Sequence, residues 1–390
     1  MKIDLLRPAG NHGTSTGQEE CRLTLGLALL VLALFGISCI TRYKPLTYLV
    51  GDGPYYAETA VSLLYDRDLD LRNQLAGGLA IHGPQIALGT DGAWYPKHPV
   101  LLPVLALPFL GVFGMPGFLI FNLLVLAGLA AAMLRLARLH APRVAAAGAV
   151  LLLLFGTFVR AYAYNLSPDL LATLLLTLGV LALLKRRCVL GGLLLGGAVL
   201  GKLLLVVALP FALVFATARF GVRGALRLAA GSALPLAFLA LINASLFGSP
   251  LVTSYDRNVT LQEGRIVATS HWSLFSNDIL AGMRGEMLDP RHGLLPTAPV
   301  LLLVLPGALL LARRRRSDAC FLLGLSASLV LLLAAYRDWA ASHYGNRFLM
   351  PVLALSTPAI ALALERGGIA ARACLRHALP TRRRAPRATA

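Results

Sequence analysis

A single aspartate stands in a short polar stretch directly after the first hydrophobic segment of the chain. Asp52 lies between Gly51 and Gly53, and Pro54 follows. Glycine permits a sharp backbone turn and proline fixes the conformation after it, so a carboxylate is predicted where a membrane span meets its loop. Partial loss of water there raises the pKa of a carboxyl group toward that of a useful general base. Asp-Gly-Pro is also ordinary turn chemistry, so a turn or helix N-cap aspartate remains an equal alternative.

A lysine and a histidine stand together just before an apolar, proline-rich stretch. Lys97 and His98 follow the aromatic pair of Trp94-Tyr95-Pro96. Aromatic residues at headgroup depth are common membrane anchors. A cation and an imidazole at the same depth can also bind a lipid phosphate through charge-assisted hydrogen bonds. We favour phosphate binding here.

The last polar connection of the chain, residues 337–346, contains Tyr344 and leads directly to Arg347. Arg347 stands at the outer start of the last predicted span. Lysine and arginine concentrate on the cytoplasmic side of membrane proteins. An arginine at an outer span end therefore indicates a functional role.

Three further ionisable residues lie at the ends of predicted spans. Asp169 opens one span after Ser167-Pro168, and Arg160 ends the preceding one. A proline in a first turn and an acid near a helix N-terminus are ordinary stabilisers, whereas an ionisable residue close to the membrane also indicates a functional site. Both interpretations stay open. Lys202 stands alone between apolar runs, where snorkelling to the surface is the simplest account.

Metal binding and serine hydrolysis receive little support from the sequence. A divalent metal ion is compatible with the histidines of the outer segments, but no ligand spacing is diagnostic, so no cofactor is predicted with certainty. The Gly-x-Ser-x-Gly pattern of serine hydrolases occurs once, at Gly13-Thr-Ser-Thr-Gly17. It lies in the polar N-terminal stretch and not between a predicted strand and a helix, so a serine hydrolase is not indicated. These histidines are His82, His98, His271, His292 and His343.

The composition is that of a membrane protein. Of 390 residues 57% are hydrophobic and 14% are charged, against about 25% charged residues in soluble domains. Continuously apolar runs of about 20 residues recur, the length of a membrane-spanning helix. The net charge of +18 does not indicate a nucleic-acid partner, because the basic residues cluster in short stretches between spans. The sequence predicts an all-α polytopic membrane protein.

Ten spans are predicted, with a short interfacial helix at 98–111 and a structured first outer loop. Alternation from a cytoplasmic N-terminus places the basic clusters inside and most acidic residues outside. We expect one transmembrane domain (1–366), two large outer loops (42–115 and 248–292) and a basic cytoplasmic tail (367–390). The spans are 23–41, 116–137, 143–161, 168–185, 189–201, 203–218, 225–247, 293–312, 318–336 and 347–366.

Several short motifs occur in an order that resembles the GT-C superfamily of integral-membrane glycosyltransferases, relatives of protein O-mannosyltransferases and lipid A aminoarabinose transferases. Many relatives have Asp-Glu where this chain has Asp52-Gly53, which leaves one carboxylate instead of two. The segments that carry the resemblance are Gly51 to Asn73, Lys97 to Gly114, Ser167 to Asp169, Asn243 to Tyr255, Gly293 to Pro299 and Trp339 to Phe348.

The resemblance implies sugar transfer from a polyprenyl-phosphate-linked donor to a lipid, glycan or protein acceptor, with inversion at the anomeric carbon. Asp52 is implied to be the general base, or a stabiliser of positive charge at that carbon. Cations would neutralise the departing lipid phosphate, and the other groups would shape or orient the pocket. The implied substrate-binding residues are Lys97, His98, Arg160, Asp169, Lys202, Tyr344 and Arg347.

The implied location is a bacterial inner membrane, with both termini cytoplasmic and the active site facing the periplasm or exterior. A transporter or lipid flippase is the first alternative. It needs ionisable residues near the bilayer midplane and paired broken spans, whereas the acids here lie at outer span ends. An inactive membrane subunit is the second alternative, because Gly53 replaces an acid.

Overall fold

The computed structural model describes residues 15–42, 51–76, 85–262, 265–340 and 345–378. Within these ranges α-helices dominate, which confirms the predicted all-α class. The helices are α1 (Ser15–Arg42), α2 (Gly53–Val61), α3 (Arg72–Ala76), α4 (Leu101–Phe113), α5 (Gly117–Arg138), α6 (Arg143–Phe155), α7 (Val159–Tyr162), α8 (Pro168–Leu184), α9 (Cys188–Gly201), α10 (Ala208–Phe247), α11 (Ile279–Leu288), α12 (Leu294–Thr297), α13 (Val304–Arg314), α14 (Arg316–Ala334) and α15 (Met350–Ala378).

Five segments of the described chain are long and apolar enough to cross a membrane. Four shorter apolar helices accompany them: α4, α6, α8 and α9. The protein is an integral membrane protein, as its composition predicts. The five segments are Gly17–Thr41, Gly117–Arg138, Leu203–Phe247, Arg316–Ala334 and Arg347–Gly368.

The predicted span 293–312 is not one helix. It is divided into α12, a 3-10 turn at Pro299–Leu303 and α13. Proline has no backbone N–H to donate, and prolines stand at 296, 299 and 306. At the other end, α15 continues to Ala378, past the predicted limit at 366. Residues 379–390 of the predicted tail lie outside the described residues.

The longest segment, of 45 residues, is about twice what one crossing requires. It is broken at Gly221, whose φ of +70° is in the left-handed region. Before this glycine, Phe215 stacks on Phe321 at 4.3 Å between ring centroids, and Arg219 pairs with Asp318 at 3.1 Å. From the first pair to the second, the residue number rises in this segment, from 215 to 219, and falls in α14, from 321 to 318. This half of the segment therefore runs antiparallel to α14.

Beyond the break, α10 packs along α9 in parallel. The backbone of Gly192 faces the carbonyl oxygen of Leu228, and Gly196 faces the ring of Pro235. α9 and α14 both end beside one cavity, which is lined by Gly201 and Leu332. The chain therefore reverses direction at the break, as the two predicted spans 203–218 and 225–247 require.

Gly192→Ala is expected to lower the thermal unfolding midpoint of the purified protein. A methyl group there collides with the Leu228 carbonyl oxygen, and overpacking a close interface costs about 1–3 kcal/mol. Gly197→Ala, on the same helix, is the matched control. Its Cβ would lie 3.7 Å from Leu175 Cδ1, an ordinary contact. Equal midpoints for the two variants would contradict the close approach of α9 and α10.

A small antiparallel sheet joins the two outer loops. Its strands are β1 (Ile86–Leu88), β2 (Trp94–Pro96), β3 (Asn258–Gln262) and β4 (Arg265–Thr269), in the order β2-β1-β3-β4. β1 pairs with β3 at Ala87 and Asn258. Beside the sheet, the Ser254 hydroxyl donates to the Lys97 carbonyl oxygen at 2.6 Å. These contacts hold the end of the first loop, where α4 begins, against the second loop.

Candidate functional site

A cavity of about 580 Å³ lies where the two outer loops meet the ends of α8, α9, α14 and α15. The structure brings six of the eight residues selected from the sequence to its lining. Several aromatic and aliphatic side chains complete the wall. The six residues are Asp52, Lys97, His98, Asp169, Lys202 and Arg347.

The other two selected residues are not part of this group. Arg160 has an exposed side chain and does not line the cavity. It lies on α7, where Val159 and Tyr162 are the buried residues, so the arginine points away from the packed face. The prediction that it shapes the pocket is not retained. Tyr344 lies outside the described residues.

Asp52 occupies the N-cap position of α2, and its side chain faces the cavity. Gly51 has a φ of +62°, so a left-handed turn leads into the helix. The Asp52 side chain makes no capping hydrogen bond. Its Oδ2 instead accepts a hydrogen bond from Arg347 Nη2 at 2.5 Å, and its side chain is 19% exposed. Asp52 thus lies in a turn, but its carboxylate pairs with Arg347 instead of capping α2.

Arg347 is a buried cation whose donors are only partly used. It starts a short 3-10 turn before α15, and the turn is capped by Asn346 Oδ1, which accepts from the Phe348 backbone N–H at 3.1 Å. The guanidinium is 7% exposed, and its Nε lies 3.8 Å from Asp169 Oδ2. Among the described residues, neither Nε nor Nη1 has a hydrogen-bond partner. Buried donors need acceptors, so the guanidinium can still donate to an anion.

Asp169 and Lys202 form the second half of a charged cluster. Asp169 stands in the first turn of α8, and its carboxylate accepts hydrogen bonds from Lys202 Nζ and from the Ser167 hydroxyl. Its side chain is 1% exposed and that of Lys202 is 11% exposed. Lys202 Nζ also lies 4.2 Å from the ring centroid of Phe348. Lys202 is therefore paired inside the cavity instead of snorkelling to the surface.

Asp169→Asn is expected to lower the unfolding midpoint sharply. Breaking a buried ion pair by removing one charge costs about 3–5 kcal/mol, because the remaining charge stays buried without compensation. Asp338→Asn is the matched control, since its side chain also lines the cavity but is 61% exposed. Thermal unfolding of both variants in detergent checks this. A small, equal effect on the two would contradict a structural role for the Asp169–Lys202 pair.

The electrostatics of Asp52 differ from the sequence expectation. Burial acts to raise the pKa of its carboxyl group, but the positive charges on His98 and Arg347 and the hydrogen bond from Arg347 outweigh this. The pKa is lowered to about 2. The expected rise toward the pKa of a useful base is therefore wrong for this state, because its positive neighbours favour the ionised carboxylate. At neutral pH, Asp52 is an anion held by Arg347.

Several lining residues were not among the predicted site residues. Gln85 Oε1 lies 2.8 Å from His98 Nε2, and the His98 ring lies 5.2 Å from the ring of Tyr56. Phe348, beneath Lys202, could have been found as the neighbour of Arg347. The sequence around Gln85 carries no such signal. Within the described ranges, no three His, Cys, Asp or Glu side chains gather as they would around a metal ion.

The helical bundle, the outer loops and the charged cavity at the helix ends define a polytopic integral membrane protein. Among solved structures, it is similar to ArnT from Cupriavidus metallidurans bound to undecaprenyl phosphate, with a TM-score of 0.60 and 16% sequence identity. The similarity covers 93% of this chain and 64% of that one, so this chain spans just under two thirds of the length of ArnT. No family model and no curated protein matches the sequence. The likeness confirms the fold implied by the sequence motifs.

Proposed function

We propose that this protein transfers a sugar from a polyprenyl-phosphate-linked donor to an acceptor at the outer face of the membrane. One observation carries the proposal. Arg347 is buried at a cavity beside Asp52, and its Nε and Nη1 have no hydrogen-bond partner among the described residues. A phosphate supplies the missing acceptors, and the structurally similar ArnT is bound to undecaprenyl phosphate.

The phosphate is held by Arg347 and Lys202. The planar guanidinium suits two-pronged binding of phosphate oxygens, and the Lys202 ammonium lies on the same Phe348 ring, with Arg347 Cζ 5.3 Å from its centroid. Lys97 adds a third positive charge at the lining. Together these cations stabilise the negative charge that develops on the departing phosphate.

The prenyl tail leaves the cavity toward the membrane. Leu203, Leu204 and Val206 line the cavity together with Leu332, and all four belong to membrane-spanning segments. Val206 is 47% exposed, so this aliphatic part of the lining is continuous with the outer surface of the bundle. A prenyl chain keeps its apolar surface out of water along this path.

Asp52 is the proton acceptor. It takes the proton from a hydroxyl or amine of the acceptor as the acceptor's oxygen or nitrogen forms a bond to the anomeric carbon. The bond from that carbon to the phosphate oxygen breaks, and its electron pair leaves with the polyprenyl phosphate. Attack from the face opposite the leaving group inverts the configuration at this carbon. General-base assistance of this kind contributes about 10²–10⁴ in rate.

The Asp52–Arg347 contact links donor binding to this step. In the structure the positive charges on His98 and Arg347, with the hydrogen bond from Arg347, lower the pKa of Asp52 to about 2. A carboxylate with so low a pKa is a weak base. A donor phosphate competes for the same guanidinium and brings its own negative charge. Both effects raise the pKa of Asp52, so the base becomes effective when the donor is present. The acceptor proton is then taken only with a donor in place.

The outer face is proposed from the charge pattern. Basic residues between spans mark the cytoplasmic side of bacterial inner membranes, and the cavity is built from the loops on the opposite side. This orientation leaves both termini in the cytoplasm and opens the active site to the periplasm or exterior.

The test is transfer by the purified protein. Polyprenyl phosphates carrying different radiolabelled sugars are incubated with the protein and a native membrane extract. We expect label from at least one donor to move to an acceptor. Movement of a lipid-linked sugar across vesicle membranes, with no transfer from any donor, would contradict the proposal and favour a flippase.

A further inference from the structure

Four aromatic side chains of the cavity lining form a spatial row, in which each ring contacts the next. Trp272 lies 5.8 Å from Phe275 between ring centroids, Phe275 lies 5.1 Å from Tyr336, and Tyr336 lies 6.2 Å from Phe348. All four belong to the cavity lining. We call them the aromatic row. It begins at Phe348, beneath the phosphate-binding cations, and ends at Trp272, which is 48% exposed.

The aromatic row is held in place by hydrogen bonds between the second outer loop and the end of α14. The backbone N–H of Arg337 donates to the carbonyl oxygen of Leu274 at 2.7 Å, and Asn277 donates to the carbonyl oxygens of Ala335 and Ala334 at 3.0 and 2.9 Å. These bonds flank Phe275 on both sides. The position of the loop aromatics relative to Tyr336 is therefore built into the fold.

The four side chains of the aromatic row are partly exposed and line the cavity. Aromatic faces bind the C–H faces of sugar rings, while the hydroxyl groups of the sugar remain free for polar partners. Each step between ring centroids is about the size of one sugar ring. The row therefore offers successive contacts to a chain of sugars, beginning next to the cations and Asp52.

The prenyl tail of the donor fits the aromatic row less well. Its path is the aliphatic part of the lining, in the membrane-spanning segments. Trp272 and Phe275 belong instead to the outer loop between α10 and α11, so the row leads away from those segments. A substrate that enters along it comes from outside the bilayer.

We infer that the aromatic row is the acceptor subsite and that the acceptor is a glycan of more than one sugar. The inference rests on the proposed transferase function and names its acceptor class. The terminal sugar lies near Phe348 with its reactive hydroxyl toward Asp52, and the following sugars stack along the row toward Trp272.

The test measures binding by the full chain in nanodiscs, using calorimetry. The probes are oligosaccharides of mannose, glucose or N-acetylglucosamine with one, two, three or four rings, and undecaprenyl phosphate as a separate ligand. The variants are Trp272→Ala, Trp272→Phe and Tyr65→Ala. Tyr65 is the matched control, since it is 70% exposed and lies outside the cavity lining.

For at least one sugar series, we expect the dissociation constant to fall as rings are added. Trp272→Ala should weaken binding of the longest member by about tenfold, the scale of one lost aromatic contact. Trp272→Phe and Tyr65→Ala should keep most of the affinity. Binding of undecaprenyl phosphate should be unchanged in all three variants.

The inference is overturned if affinity is independent of ring number in every series, or if Trp272→Ala and Tyr65→Ala behave alike. It is also overturned if Trp272→Ala weakens undecaprenyl phosphate binding, since the row would then hold the lipid. Failure of the unmodified protein to bind undecaprenyl phosphate contradicts the proposed function itself. Normal lipid binding without oligosaccharide binding contradicts only the acceptor assignment.

Discussion

Asp52→Asn is expected to lower the rate of sugar transfer by a factor of about 10²–10⁴, the usual contribution of a general base. An amide cannot accept the acceptor's proton at neutral pH. α2 should still form, because the Asp52 side chain makes no capping hydrogen bond to it. The unfolding midpoint should fall, because Arg347 loses the partner of a buried ion pair, so rates are compared at a temperature at which both proteins are folded. The measurement is the initial rate of transfer of radiolabelled sugar at saturating donor. Full activity of this variant would rule out Asp52 as the base.

The same variant should bind undecaprenyl phosphate at least as tightly as the unmodified protein. The neutral amide no longer competes for Arg347 and no longer repels the phosphate. Weaker binding would contradict the competition for the guanidinium. Asp91→Asn is the matched control for both measurements, because this exposed acid of the same outer loop lies outside the cavity lining. It should leave rate and affinity unchanged.

Arg347→Gln is expected to weaken undecaprenyl phosphate binding by about 100-fold. A hydrogen bond to a charged group contributes about 1.5–3 kcal/mol, and the loss of two such bonds corresponds to at least a hundredfold in the dissociation constant. Binding to the protein in nanodiscs, measured with the lipid alone, checks this without any need for the sugar or acceptor.

Arg337→Gln provides the matched control for this arginine. It lies on the neighbouring connection, and its side chain is 64% exposed. It removes one positive charge from the same surface without touching the buried cluster. Equal losses in the two variants would indicate a general effect of net charge, and no loss in either would contradict a phosphate site at Arg347.

Much of the helical scaffold is predictable from the sequence, because membrane spans depend on the local composition of about 20 residues. The reversal at Gly221 is an example. Arg219, Arg223 and Arg227 mark a cytoplasmic turn between the predicted spans 203–218 and 225–247. Joining 189–201 and 203–218 into one span would place these arginines outside, so two spans are preferred there. The broken segment after Gly293 is less predictable, because its apolar composition favours a span while its prolines interrupt the helix.

The sheet between the outer loops is not predictable in the same way. Its strands have three to five residues, too few for a clear alternation of polar and apolar positions. β1 and β3 lie far apart in the sequence, and their pairing is a tertiary contact. The sequence therefore predicts a structured loop but not the strands that hold Lys97 against the second loop.

The charged members of the site are predictable because ionisable groups near a membrane are costly and few. Their pairing is not. Arg347 and Asp52 are 295 residues apart, and no local pattern shows that they meet. The sequence therefore suggests a pKa of Asp52 raised by burial, whereas its positive neighbours lower it. The aromatic row cannot be predicted from the sequence for a different reason. Aromatic residues are common at membrane surfaces, so Trp272 carries no signal until its neighbours are known.

The central claim is that a lipid phosphate binds between Arg347 and Lys202, next to Asp52. A cryo-electron-microscopy structure of the full chain with undecaprenyl phosphate tests it most directly. The account predicts phosphate oxygens within hydrogen-bond distance of the Arg347 guanidinium and of Lys202 Nζ, with the Asp52 carboxylate farther from Arg347 than its present 2.5 Å. A phosphate bound elsewhere, with the Asp52–Arg347 pair intact, would contradict it.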